Sequence, residues 1–221
     1  PSSALTLSHW AKEITLDVLS PRIDAQALHA VSMVDVLSDH AAVDMKFAGK
    51  ISDAFAPKSS VGPGANYIVM FENLSERNVG QGSTLPGKDI SFNFADADTA
   101  ARSILEAGLK KQGQGCFANW SIDSSNAISA FVLVIDRHMA ASKRRDCINI
   151  ATPLSFAVHP AVTTLSYPQM QASQDFFDKS ETFLLLRLSA YCRNELKQNS
   201  LQCPAEMLGA LYQMHANLLK Q

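Results

Sequence analysis

The chain has 221 residues, long enough to bury a substantial core without metals or staples, so one domain, or one domain with a small appendage, is expected. A hydrophobic share of 47% against 18% charged residues is that of a globular protein rather than a disordered one. Nineteen basic and twenty-one acidic side chains leave a formal charge of −2, which gives no general pull on nucleic acid or on an anionic membrane.

Trp10 to Leu19 sets Ile14, Leu16 and Val18 against Glu13, Thr15 and Asp17, the period-two pattern of a half-buried strand. Ser20 and Pro21 then read as a helix N-cap followed by proline at the first helical position. The helix so started places Ile23, Ala27, Leu28, Val31, Val34 and Leu37 on one face and should end around Asp39, with His29 outside the stripe. Val43 to Phe47 and Asn66 to Phe71 follow as strands, the second with the β-branched and aromatic content of an interior position. Between them, Ala54 to Ala65 is too rich in proline and glycine for regular structure. A longer Gly-rich loop, about Asn73 to Lys88, has the length that either partner binding or disorder explains.

Asp96 or Asp98 can cap a helix through Ala100, Ile104, Leu105 and Leu109, closed by Lys110, Lys111 and Gly113. Cys116 to Ile122 and Ile128 to Ile135 form a hairpin around Asp123 to Asn126. The second arm is the longest apolar run and has strand length, far short of the roughly 20 residues that span a bilayer. Lys143, Arg144 and Arg145 read as a solvated loop after that strand. Thr152 to Ser173, with Pro153, Pro160 and Pro168, reads as irregular.

Asp178 with Glu181 makes a box-like cap for a helix burying Phe183, Leu184, Leu186, Leu188, Tyr191, Cys192 and Leu196. Cys203 and Pro204 open a last helix through Met207, Leu208, Leu211, Met214, His215 and Leu218, completing a helical hairpin. The first residues lack a basic region followed by an apolar one, so a signal peptide is either absent or already removed.

The four cysteines show no C-x-x-C spacing, and neither a zinc ribbon nor a redox motif can be built from them. Cys116 and Cys147 flank the strand hairpin, and Cys192 and Cys203 flank the helical connection. Pairing 116 with 147 and 192 with 203 is therefore the best of three connectivities; four reduced, buried thiols in a cytosolic protein are the alternative.

No two of the six histidines stand at i, i+4, and there is no H-E-x-x-H or G-x-S-x-G. Gly80-Gln-Gly82 and Gly113-Gln-Gly115 lack the third glycine of a dinucleotide site. Asp39-His40 with Asp44, and Asp136-Arg137-His138 at the end of the most apolar strand, could join a site through the fold. Exposed element ends are the competing structural reading for both. Asn73-Leu-Ser75 and Asn119-Trp-Ser121 match the glycosylation acceptor pattern.

These features include His9-Trp10-Ala-Lys-Glu-Ile-Thr-Leu, Ala65-Asn66-Tyr-Ile-Val, Gly115-Cys116 before a strand, Ile128 to Asp136, Arg145-Asp146-Cys147 and Asp178-Lys-Ser-Glu-Thr-Phe-Leu-Leu-Leu-Arg-Leu. Their order resembles a family of bacterial exported and lipoprotein domains of unknown function with a zincin-like layout. The resemblance implies an exported setting and a helix after the second cysteine bearing paired acids and a glutamine, where a zincin holds its metal and general base. Here that run is Ile148 to Phe156, which contains no acid and includes the helix-breaking Pro153. The resemblance therefore implies a degenerate member with no metal ligand or catalytic residue carried over.

The expected fold is a single α+β domain over 1–221, a mixed or antiparallel sheet packed with helices, with 178–221 a C-terminal helical hairpin. The expected function is a non-catalytic protein-interaction domain of the bacterial envelope or secreted fraction, periplasmic or extracellular. Its partner would be another envelope or secreted protein, with no nucleic acid, no membrane span, no cofactor and no catalytic zinc. The competing expectation is a metal-dependent or peptidase-like hydrolase whose site gathers His40, Asp136, His138 and His159.

Overall fold

The computed structural model describes residues 8–10, 12–20, 25–49, 60–72, 94–111, 115–158, 161–173, 179–198, 200 and 202–218. Strand β2 (Ile14–Leu19) shows how the architecture departs from the simplest reading of its sequence. Its alternation suggests a half-buried strand, yet all six residues are buried. β2 lies between β3 (Met45–Phe47) and β4 (Tyr67–Glu72), parallel to both, and parallel sheets are covered on both faces. The polar positions are paired locally. Thr15 N–H donates to Asn66 Oδ1 at 2.7 Å, and Asp17 accepts Val18 N–H at 3.0 Å and Gly62 N–H at 2.7 Å. Only glycine fits at Gly62, because a Cβ would stand 2.0 Å from the Ala48 carbonyl oxygen.

β4 continues the parallel sheet into β6 (Ala127–Asp136), which pairs antiparallel with β5 (Cys116–Ile122), itself antiparallel to β7 (Thr164–Ser166). β1 (His9–Trp10) runs parallel to the start of β6. Among the described residues the result is a mixed seven-stranded sheet in the order β3-β2-β4-β6-β5-β7, with β1 off that path. The β5–β6 hairpin forms where its turn residues place it. Asp123 Oδ1 accepts the N–H groups of Ser125 and Ala127 and the Ser125 hydroxyl, and Asn126 takes the left-handed conformation at φ 62°.

Side-chain alternation then sends Tyr67, Val69, Phe71, Phe131, Leu133 and Ile135 to one face and Ile68, Met70, Val132 and Val134 to the other. The first face is covered by α1 (Ala25–Ala41), α3 (Ala141–Leu154) and α5 (Lys179–Asn194). The second is covered by α2 (Thr99–Lys111) through Ala101 and Leu105. Asp98 caps α2, accepting Ala100 N–H at 2.9 Å. The short α4 (Tyr167–Ser173) packs near α3, and α6 (Gln202–Leu218) packs on α5. The architecture is thus α+β, with a C-terminal pair of helices.

Three sequence expectations give way. On α1 the buried row is Ala27, Ala30, Val31, Val34, Leu37 and Ala41, while Leu28 is 44% exposed; steps of three and four from Ala27 exclude position 28. Lys143, Arg144 and Arg145 lie on α3 rather than in a loop, and Arg144 Nη1 closes the preceding turn by donating to the Arg137 and Met139 carbonyls. The stretch 152–173 holds the end of α3, β7 and α4 despite its prolines. Pro153 falls in the last turn of α3, and Pro168 falls in the first turn of α4, where no intrahelical N–H is needed. The Ser20–Pro21 helix start, Ile23, the Asn73–Lys88 loop and the Asp178 cap fall wholly or partly outside the described residues.

Candidate functional site

The hydrolase expectation requires His40, Asp136, His138 and His159 to converge. His159 lies outside the described residues, and the other three do not converge. β2, β4 and β6 run parallel, so their last residues share one edge of the sheet. Asp136 ends β6 on that edge, beside its register partner Glu72 at the end of β4. α1 leaves the same edge and returns the chain to the other one, where Asp44 O accepts Ile14 N–H at the start of β2. His40, in the last turn of α1, is therefore at the opposite edge from Asp136 and His138.

The Asp136 and His40 side chains have local structural tasks. The Asp136 carboxylate is nearly buried and accepts the backbone N–H of His138 at 2.9 Å, holding the turn out of β6. The His138 ring is exposed. His40 Nδ1 donates to the Val36 carbonyl at 2.8 Å, and its ring lies 4.9 Å from that of Phe183. Among the described residues, no three His, Cys, Asp or Glu side chains are grouped to hold a metal ion. His29 joins two helices through a 2.8 Å hydrogen bond between Nε2 and Asn149 Oδ1.

In the parallel part of the sheet, with order β3-β2-β4-β6, the connections diverge at a switch point between β2 and β4, a position where such folds commonly bind ligands. Ser20 and Glu72 border it, and the segments 21–24 and 73–93 that leave those strands are outside the described residues. Glu72 is the residue sequence reasoning missed here. Its signal was available only through register, since nothing in the local sequence pairs it with Asp136.

Both disulfides form as the element order suggested. Cys116–Cys147 ties β5 to α3, and Cys192–Cys203 ties α5 to α6. All four residues are buried, and Met170 and Met207 contact Cys116 and Cys192, each with sulfurs 3.7 Å apart. The acceptor pattern at Asn119 sits on a buried strand residue, 5% exposed, so it offers no surface for a glycan.

The helical hairpin is less buried than its pattern suggested. Leu186, Leu188, Ala190 and Cys192 face inward, but Tyr191 is 47% exposed. On α6, Cys203 and Pro204 are buried and Met207 and Leu208 half-buried; every residue from 209 to 217 is exposed. Leu211, Tyr212 and Met214 are 42%, 51% and 62% exposed. Tyr212 hydroxyl donates to Glu181 Oε1, tying this part of α6 to the start of α5.

A buried polar group holds the first face together. Tyr67 hydroxyl lies 2.8 Å from Ser155 Oγ, which donates to Thr152 O at 2.6 Å, so the phenol is the donor to the serine. Trp10 Nε1–H donates to Ser155 O at 2.7 Å. Burial is the largest cause that pushes the Tyr67 phenol above its ordinary pKa. This group fixes the end of α3 over the sheet and is closed to solvent. Comparison with protein-family models, with curated proteins and with solved structures gave no match.

Proposed function

We propose that the chain is an exported, non-catalytic protein-interaction domain of the bacterial envelope or secreted fraction. The outer side of the α5–α6 hairpin is its docking surface for another envelope or secreted protein. One observation carries this reading: Leu211, Tyr212 and Met214 stand exposed on a helix that a disulfide clamps in place. A helix segment with so little packing is marginal in water, and clustered exposed apolar side chains mark contact sites.

A protein fits this surface better than a lipid one. Gln202–Leu218 contains no Lys or Arg, whereas helices that lie on membranes carry a basic polar face. No helix among the described residues is long and apolar enough to cross a membrane. Two buried disulfides support an oxidising compartment, periplasmic or extracellular, and the resemblance to exported bacterial domains points the same way. The hydrolase reading has less support, since its described residues stand at opposite edges of the sheet.

A photo-crosslinking residue placed at Met214 tests the proposal in a bacterial host, with envelope and secreted fractions resolved. A discrete adduct to a second protein is expected, lost in Leu211→Glu while the unfolding midpoint stays unchanged. No adduct, or an adduct only between two copies of this chain, would overturn it.

A further inference from the structure

The chain has seven methionines, and the fold shields them unequally. Met70 and Met170 are 0% exposed. Met33, Met45 and Met139 are half-buried against the core. Met207 is half-buried where α6 meets α5, its sulfur 3.7 Å from Cys192 Sγ. Met214 alone is exposed, at 62%. It continues the stripe of Met207 and Leu211 along α6, at the four- and three-residue steps that keep side chains on one side of a helix. All four cysteines are held in disulfides and none is free. No thiol therefore competes for an oxidant, and Met214 is the most accessible sulfur in the chain.

A thioether has no proton to lose, so access decides which methionine reacts. The sulfur attacks one oxygen of hydrogen peroxide, an S–O bond forms and the O–O bond breaks. The departing hydroxide takes the proton of the transferred oxygen and leaves as water. Sulfur is oxidised by two electrons and the peroxide is reduced by two. The product is a polar, chiral sulfoxide. A polar oxygen buried in an apolar contact is costly without a hydrogen-bond partner, so a contact shaped for the thioether excludes the sulfoxide.

We propose that Met214 is a methionine-oxidation site that switches the hairpin's docking surface off, with hydrogen peroxide as oxidant and a methionine sulfoxide reductase as the agent of return. The switch rests on the docking reading above and adds its regulation. Met214 packs little against the rest of the chain, so its oxidation changes recognition and leaves the fold standing. Met207, on the same helix but against the disulfide, is shielded from the same reaction.

The test gives the full chain, carrying a photo-crosslinking residue at the exposed Ala210, graded doses of hydrogen peroxide that are removed before it meets envelope and secreted fractions of the bacterial host. Peptide mapping by mass spectrometry should find one added oxygen on Met214 before any other methionine. Adduct yield from the Met214-oxidised chain should fall about tenfold or more, with the unfolding midpoint unchanged, and return after treatment with a sulfoxide reductase. Met214→Gln, which places a polar group there without oxidant, should give the low yield from the start. Met214→Leu has its own docking strength, but its yield should not respond to peroxide. No adduct from the untreated chain would overturn the docking reading and the switch with it. An adduct undiminished by Met214 oxidation would overturn the switch alone. So would oxidation of Met139 or Met207 ahead of Met214, or a peroxide response that persists in Met214→Leu.

Discussion

Phe131 on β6 and Met214 on α6 are both large apolar side chains, yet Phe131 is fully buried between two layers and Met214 is 62% exposed. The open sheet is sandwiched between layers. Helices cover both of its faces, Thr15 N–H and the Asp17 carboxylate on β2 are hydrogen-bonded, and Cys116–Cys147 fastens β5 to the helix above it. The hairpin closes on one side only: α5 buries Leu186 and Leu188, and α6 packs on α5 with its far half in solvent. A core that needed those residues would have buried them, so the packed core and the proposed docking surface lie in different regions of this chain.

The contrast is sharpest in stability. Phe131→Ala should cost about 3 to 5 kcal/mol, by lost transfer and a residual cavity, and Leu188→Ala about 2 to 5 kcal/mol. Met214→Ala should stay within about 0.5 kcal/mol, as surface changes do. Denaturant unfolding of the three variants checks this. A large loss at Met214 would mean that α6 belongs to the core and would break the comparison.

The disulfides give the next effect. On the chain-entropy view, loops of 31 and 11 residues are worth about 4 and about 3 kcal/mol. Replacing Cys116 and Cys147 by Ala should destabilise the whole domain by roughly the first amount. Replacing Cys192 and Cys203 should mainly loosen α6, lowering the midpoint less than its loop length suggests. Non-reducing peptide mapping of the purified chain should recover both pairs, and free thiols at all four positions would contradict the proposed oxidising compartment.

Much of this was legible in the sequence, and what was not has physical causes. Disulfide pairing, the β5–β6 hairpin and the Asp98 cap depend on neighbours close in the chain, and each formed where its residues placed it. The double burial of β2 was not legible, because whether Thr15 and Asp17 face solvent depends on Asn66 and Gly62 arriving from far along the chain. The same holds for the separation of His40 from Asp136, which follows from strand direction. The exposure of Tyr191 and Leu211 was hidden because a helix pattern gives periodicity but not what covers each side.

A smaller effect concerns the polar group under α3. Tyr67→Phe removes one donor and leaves Ser155 bonded to Thr152, so a loss of about 1 kcal/mol is expected. In the intact chain the raised Tyr67 pKa means the phenol's contribution is full below the unfolded value of about 10. It is lost as pH rises through and beyond that value, and absorbance near the phenolate band should show one tyrosine silent until unfolding. The smallest effect belongs to the exposed turn of the hairpin. The Ser125 hydroxyl, with the Ala127 and Ser125 N–H groups, holds the Asp123 pKa below its ordinary value. The contribution is present above the unfolded carboxylate value of about 4 and fades as pH falls through the folded one. NMR shifts of the Ser125 and Ala127 amides should report that titration at the turn and nowhere on α6.

The most direct test of the docking surface is amide hydrogen exchange across residues 209–217, measured in the isolated chain and in the complex trapped by crosslinking at Met214. The account predicts fast exchange in the isolated chain and strong protection in the complex, with strands β2, β4 and β6 protected alike in both. Equal exchange of 209–217 in the two states would contradict it.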